Sequence, residues 1–262
     1  MLTCGIDIGS RTIEILIFDT EAGRSLGYKI SDTGSTPAET ARVLFRNLTA
    51  SLNLKHRELA GTVVTGYGRK SFPLPAVSIT EITCHARGVS HLFPEARTVI
   101  DIGGQDSKVI GLESDGRVRD FAMNDRCAAG TGRFLEMTSE LLEIPLDEMG
   151  DLALIAEKSV EINAMCAVFA ESEIIGLISK GHPKSEILMG VIESVAKRII
   201  GLTGRVGLHK NVILTGGVAK NRGVVYALKK YLGIDLIVPD EPRITGALGA
   251  ALLAVDQTEN HH

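Results

Sequence analysis

Residues 4–19 read CGIDIGSRTIEILIFD, and residues 98–113 read TVIDIGGQDSKVIGLE. Both stretches hold Ile-Asp-Ile-Gly, a short polar turn and then a second apolar run. An apolar run broken by a Gly-containing turn and then resumed predicts a buried β-hairpin. In this register Asp7 and Asp101 are equivalent. Two copies of one hairpin predict two similar halves around a cleft, and the interval between the copies is far too long for a solenoid repeat.

Working outward, the spacing of apolar residues predicts helices over 36–52 and 79–92, with a strand at 61–65 ending in Gly66-Tyr67-Gly68. Beyond the second hairpin, helices are predicted over 133–143, 167–180 and 187–206. A strand at 212–215 then meets Gly216-Gly217, and a helix follows from Asn221. The chain closes with a strand over 235–238, a turn through Pro239 and Pro242, and a helix over 245–255. Strands alternating with helices predict an α/β fold. Residues 1–92 form the first half and 93–262 the second, with the last helix packing back on the first.

Composition narrows the function. The chain has 262 residues, 44% hydrophobic and 23% charged, which is ordinary for a soluble globular protein. Its net charge of −4, with 4% aromatics and no Trp, argues against a nucleic-acid surface. The chain enters an apolar strand at once, and its late apolar run, 246–255, is about half the ~20 residues of a membrane span, so a cytoplasmic protein without a membrane partner is expected. Four scattered cysteines, Cys4, Cys84, Cys127 and Cys166, do not make a disulfide scaffold. The terminal pair His261-His262 carries no assignment.

The glycines point to phosphate chemistry. A Gly turn between strands turns backbone N–H groups toward an anion and lets the backbone approach closely. Gly9-Ser10 and Gly103-Gly104 both fit, and each follows an Asp that can hold Mg²⁺ through water. The P-loop pattern GxxxxGK[ST] does not occur. Asp7-Ile8-Gly9-Ser10, Asp101-Ile102-Gly103-Gly104-Gln105 and Thr215-Gly216-Gly217-Val218-Ala219 resemble the two phosphate motifs and the adenosine motif of the actin/hexokinase/heat-shock-chaperone ATPases. That resemblance implies two RNase H-like halves with ATP or ADP and Mg²⁺ in the cleft. It also implies Gly216, Gly217 and Asn221 near the adenosine.

Two cysteines stand apart. Cys127 lies in NDRCAAGTGRF (124–134) and Cys166 in CAVFAESE (166–173), each shortly ahead of a predicted helix. The positive end of a helix favours a thiolate or an anionic cluster. Cys4 in the first strand and Cys84 beside His85 read as small core residues instead. From Gly5 to Ala254 the chain resembles the activators of 2-hydroxyacyl-CoA dehydratases, which belong to the BadF/BadG/BcrA/BcrD-type ATPases. The resemblance implies a homodimer bridged by one [4Fe–4S] cluster, with Cys127 and Cys166 of each chain as its ligands; four thiolates are the usual complement.

The same resemblance implies an ATP-hydrolysing activator that injects low-potential electrons into an iron–sulfur partner enzyme, fed by flavodoxin or ferredoxin. Asp7, Asp101 and Gln105 are then the catalytic candidates. Gly9, Ser10, Arg11, Thr12, Gly103, Gly104, Gly132, Gly216, Gly217 and Asn221 are the nucleotide-binding candidates. The run Ile162-Asn163-Ala164-Met165 ahead of Cys166, and Ser10-Arg11-Thr12 in the first turn, depart from the pattern common in these activators. A benzoyl-CoA reductase-like or double-cubane acceptor therefore stays open beside a dehydratase. Two other classes also stay open: a small-molecule kinase of this fold, and a zinc-bridged dimer, since four thiolates suit zinc as well.

Overall fold

The structure is a computed structural model and describes residues 1–163 and 166–259. Ala164 and Met165 ahead of Cys166, and the His261-His262 pair, lie outside the described residues. The chain divides into two compact units. Unit 1 holds Met1–Val99, Leu112–Arg119 and the segment from Arg243; unit 2 holds Ile100–Gly111 and Asp120–Pro242.

The sheet of unit 1 is built from β1 (Leu2–Ile8), β2 (Thr12–Asp19), β3 (Arg24–Asp32), β4 (Leu59–Thr65) and β5 (Val77–Ser78), in the order β3-β2-β1-β4-β5. β1 pairs antiparallel with β2 and parallel with β4, so the Ile-Asp-Ile-Gly strand lies at the centre. Cys4, Ile6, Ile8, Ile13, Ile15 and Ile17 pack against α1 (Pro37–Ser51) through Leu44, Phe45 and Leu48. Pro37 suits the first turn of α1, where its missing N–H costs nothing. On the opposite face lie α2 (Glu81–Leu92) and α8, the helix Thr245–Glu259. These elements approach so closely that a methyl group on Gly88 would run into the Thr245 carbonyl, and one on Gly249 into that of Cys84. Overpacking of this kind costs ~1–3 kcal/mol per site.

The second sheet contains β6 (Thr98–Ile102), β7 (Ser107–Leu112), β8 (Val118–Asn124), β9 (Val212–Thr215) and β10 (Leu236–Ile237). Its order, β8-β7-β6-β9-β10, repeats that of the first strand for strand. The duplicated hairpin thus reports a duplicated topology, and the α/β fold with two like sheets is the one expected. Unit 2 builds its core from α3 (Gly132–Leu142), α4 (Met149–Leu154), α5 (Ala167–Ser179), α6 (Lys184–Val206) and α7 (Arg222–Leu232) around Phe134, Ile187, Ile192 and Leu214. Among the described residues, no helix is long and apolar enough to cross a membrane.

β3, β5, β8 and α4 were not expected. β3 and β8 are edge strands, with exposed residues such as Arg24, Ser25, Arg119 and Phe121 mixed among half-buried ones, so period-two alternation is weak. β5 is only two residues long and α4 only six, too short for any periodicity.

Candidate nucleotide and thiolate sites

In unit 1 the first turn is closed by the Gly9 N–H donating to the Thr12 carbonyl at 3.0 Å. The Thr33 hydroxyl braces the turn by donating to the Gly9 carbonyl at 2.9 Å, and the Thr33 N–H donates to the Arg11 carbonyl. A Cβ on Gly9 would sit 2.8 Å from the Thr12 oxygen, which explains the glycine. Arg11 is exposed, and Ser10 and Thr12 are half-buried.

Asp7 is buried at the end of β1. Its two carboxylate oxygens face two glycines. A Cβ on Gly66 would collide with Oδ1, and one on Gly246 with Oδ2. Gly66 also has φ +84°, so a side chain there is strained as well as obstructed. The His85 ring lies beside Asp7, with Nε2 4.0 Å from Oδ2, and its Nδ1 pairs with the Thr245 hydroxyl at 3.1 Å. A carboxylate with small residues on both oxygens suits a hard cation and its water shell.

In unit 2 the second turn has the same closure: the Gly103 N–H donates to the Asp106 carbonyl at 3.0 Å. Asp101, however, is held by protein groups. The Lys108 ammonium donates to its Oδ2 at 3.2 Å and also pairs with Asp106 at 2.9 Å. The Thr215 hydroxyl donates to Asp101 Oδ1 at 2.9 Å. Asp101 and Lys108 are both almost fully buried. The start of α3 is tied to this turn, with the Gly132 N–H donating to the Gly103 carbonyl at 2.9 Å and the Arg133 N–H to that of Gly104 at 2.8 Å. Gly216, at φ +85°, lies against the Ile102 carbonyl and Asp101. Asp101, Gly103, Gly104, Gly132 and Gly216 are therefore neighbours within unit 2. Gln105 is exposed at the tip of the turn. Gly217 faces open space, and Asn221 caps α7 by accepting the Val224 N–H at 3.1 Å.

The cysteines separate into two kinds, and none is in a disulfide. Cys4 and Cys84 are wholly buried. Burial pushes the Cys4 thiol far up and that of Cys84 up to about 12, so both stay protonated thiols. Cys127 is half-buried and Cys166 exposed. Cys127 precedes a 3₁₀ turn, Ala128–Gly130, and Cys166 precedes α5, each with extended backbone. The Asn124 carboxamide pins Cys127 from both sides, accepting its N–H at 3.1 Å and donating to its carbonyl at 2.8 Å. Glu173, nearly two helical turns into α5, accepts the Asn163 N–H at 3.0 Å. Only these two cysteines combine exposure with a helix start, the setting in which a thiolate can meet iron. Among the described residues, no three or more His, Cys, Asp and Glu side chains converge within the chain.

Lys108, Thr215, His85, Glu173 and the two glycines around Asp7 were not identified as site residues from sequence. The Thr245-Gly246-Ala-Leu-Gly249-Ala run was the available signal: small residues three apart on a helix permit close backbone approach. The Lys108–Asp101 pair depends on strand register and has no local signal.

Comparison with known proteins follows this geometry. The sequence profile of the BadF/BadG/BcrA/BcrD ATPase family matches residues 4–254. The activator of lactoyl-CoA dehydratase from Anaerotignum propionicum is 45% identical over 260 residues, covering 99% of each chain. Among solved structures, the activator of the 2-hydroxyisocaproyl-CoA dehydratase from Clostridium difficile, with bound ADPNP, matches with a TM-score of 0.92 at 41% identity, covering 100% of this chain and 97% of that one. Component A of the (R)-2-hydroxyglutaryl-CoA dehydratase from Acidaminococcus fermentans matches with a TM-score of 0.94 at 40% identity, covering 99% of each.

Proposed function

The chain belongs to the BadF/BadG/BcrA/BcrD ATPase family, and from that membership we propose an ATP-hydrolysing activator that delivers single low-potential electrons to a partner iron–sulfur enzyme of the 2-hydroxyacyl-CoA dehydratase kind. The observation that carries the reading is the division of the cysteines: two sealed as thiols in a core, two outward at helix starts. A small-molecule kinase of the same fold would leave Cys127 and Cys166 without a role.

The group proposed on these residues is one [4Fe–4S] cluster per homodimer, held by Cys127 and Cys166 of each chain. When bound it supplies a one-electron store. The chain's own residues do the rest. Asn124 holds the Cys127 backbone, and Glu173 holds Asn163 against α5. Beyond Cys166, α5 exposes Val168, Phe169, Ile175 and Ile178, apolar surface that suits a protein interface.

Nucleotide chemistry is assigned to the two turns. Gly9, Ser10, Arg11 and Thr12 in unit 1, and Gly103, Gly104 and Gly132 in unit 2, are the residues proposed to receive the phosphates: Gly9, Gly103 and Gly132 close the turns with their own N–H groups, which leaves Ser10, Arg11 and Gly104 as the candidate backbone donors. Asp7, with a glycine against each carboxylate oxygen, would organise Mg²⁺ and its waters. Asp101, oriented by Lys108 and Thr215, positions the attacking water with Gln105. Gly216, Gly217 and Asn221 border the adenosine. Reduced flavodoxin or ferredoxin is the proposed donor.

The test is the iron content of cysteine variants, together with ATP-dependent reduction of a 2-hydroxyacyl-CoA dehydratase. Cys127→Ser or Cys166→Ser is expected to give a colourless protein with little iron and no electron delivery, because each removes two of four thiolates from a symmetric site. Cys4→Ser and Cys84→Ser are expected to keep their iron, at ~1–3 kcal/mol in stability for a buried hydroxyl. A Cys166→Ser protein with four irons per dimer would overturn the bridging assignment.

A further inference from the structure

β1 and β4 are parallel neighbours, with Thr65 opposite Asp7 in their register. The turns that follow the two strands therefore leave the same edge of the unit 1 sheet. The carboxyl ends of parallel strands are where α/β sheets bind their ligands. The Gly9–Thr12 turn follows β1, and Gly66-Tyr67-Gly68-Arg69 follows β4. The proposed activity gives the first turn its phosphates and leaves the side chains of the second without a role.

The second turn is fitted onto the first. The Gly68 N–H donates to the carbonyl of Ile8, the residue before Gly9, at 2.8 Å. A Cβ on Gly66 would lie 2.6 Å from that same oxygen, and one on Gly68 would run into the Ile8 side chain. The Ser71 hydroxyl braces the turn by donating to the Gly68 carbonyl at 2.6 Å. Arg69 is held in this turn, half-buried. Among the described residues its guanidinium donates once, to the Gly66 carbonyl at 2.9 Å, and forms no ion pair. Most of its five N–H donors are thus left for a ligand or water. Its charge acts where that of Asp7 does: the Cys84 thiol, pushed up mainly by burial, is raised further by Asp7 and lowered by Arg69. Gly66 links the two groups, with its α-carbon toward Asp7 Oδ1 and its carbonyl on Arg69.

We propose that Arg69 is a phosphate-binding residue of the nucleotide site, its guanidinium pairing with the phosphate received at the Gly9–Thr12 turn. A guanidinium without a carboxylate, fixed beside an anion-accepting turn at the ligand-binding edge of a sheet, suits that task. Its planar fork matches two phosphate oxygens at once. Asp7 would then answer the charge of the metal, and Arg69 that of the phosphate. The assignment rests on the nucleotide reading proposed above and adds to it a charged side chain that backbone donors cannot replace.

Isothermal titration of the purified full-length protein with ADPNP, at saturating Mg²⁺ and several salt concentrations, tests this. Arg69→Gln is expected to weaken ADPNP about tenfold, the scale of one charge-assisted hydrogen bond. Its affinity should also depend less steeply on salt than that of the wild type, a change that bracing of the turn alone would not produce. Arg69→Lys keeps the charge without the fork; it should fall between the two, and it carries the test if Arg69→Gln does not fold. Lys70 is exposed and one position further on, so Lys70→Gln reports general surface charge and should weaken ADPNP less than about twofold. Wild-type affinity in both Arg69 variants, equal weakening in Lys70→Gln, or a tenfold loss with an unchanged salt slope would each overturn the assignment and leave the nucleotide reading standing. A wild-type protein that binds no ADPNP would overturn both.

Discussion

Unit 1 and unit 2 share a sheet order and a turn closed by the same backbone bond, yet they treat the equivalent aspartates differently. Asp7 has glycines at both oxygens and a histidine ring at 4.0 Å. Asp101 has a lysine at 3.2 Å and a threonine hydroxyl at 2.9 Å. The cysteines divide along the same line. Unit 1 seals Cys4 and Cys84 in its interior, whereas unit 2 sets Cys127 and Cys166 at helix starts. A duplicated backbone preserves where a carboxylate stands; the neighbouring side chains decide what it can hold.

The contrast between the aspartates is broken most directly at Lys108. Lys108→Met removes the cation from a buried carboxylate and should cost ~3–5 kcal/mol in urea unfolding. His85→Gln, beside Asp7, should cost only about 1 kcal/mol, the net worth of one hydrogen bond. Equal losses in the two variants would show that the two sites are held alike.

The next effect is kinetic. Asp7→Asn and Asp101→Asn should each lower the ATPase rate about 100-fold, about 2.7 kcal/mol of barrier, with iron content unchanged. They should part in stability: Asp7→Asn stays near wild type, while Asp101→Asn falls because Lys108 loses a buried counter-charge. ATP-dependent electron delivery at the wild-type rate alongside abolished hydrolysis would show that the two processes are uncoupled.

The smallest effect concerns the sealed thiols. In the folded chain Cys84 is raised from the ordinary 9.0 to about 12, and Cys4 is raised further, both through burial. A raised thiol binds its proton more tightly in the native state. Its contribution is therefore complete below pH 9 and is lost as pH rises toward about 12. Stability should fall above pH 9 by up to about 1.4 kcal/mol per pH unit for each thiol. Cys84→Ala should flatten that slope. An identical slope in wild type and Cys84→Ala would count against a sealed thiol.

Much of this architecture was legible in the chain. The repeated Ile-Asp-Ile-Gly reports two like sheets because a buried central strand must be apolar on both faces, and because the turn after it must admit close backbone approach. The helices that follow Cys127 and Cys166, α3 and α5, were legible from the spacing of their apolar residues. The edge strands β3 and β8 were not, since one side of each lacks a partner strand and its residues need not alternate. The lysine on Asp101 and the glycines around Asp7 were also hidden. Each joins residues tens to more than a hundred positions apart or depends on strand register, and no local period encodes such a meeting.

The glycine-lined seat of α8 also sets an order of events during synthesis. Unit 1 begins with the first strand but includes the helix Thr245–Glu259, whose small residues press against α2 and β1. At ~5–20 residues per second, roughly 7–30 s separate the emergence of β6 from that of α8. Throughout that interval the apolar faces of Leu16, Phe18 and Val63, which α8 covers, await their partner. The earliest-made unit is thus among the last to close, and a nascent chain stalled before Arg243 would present that uncovered surface to chaperones and proteases.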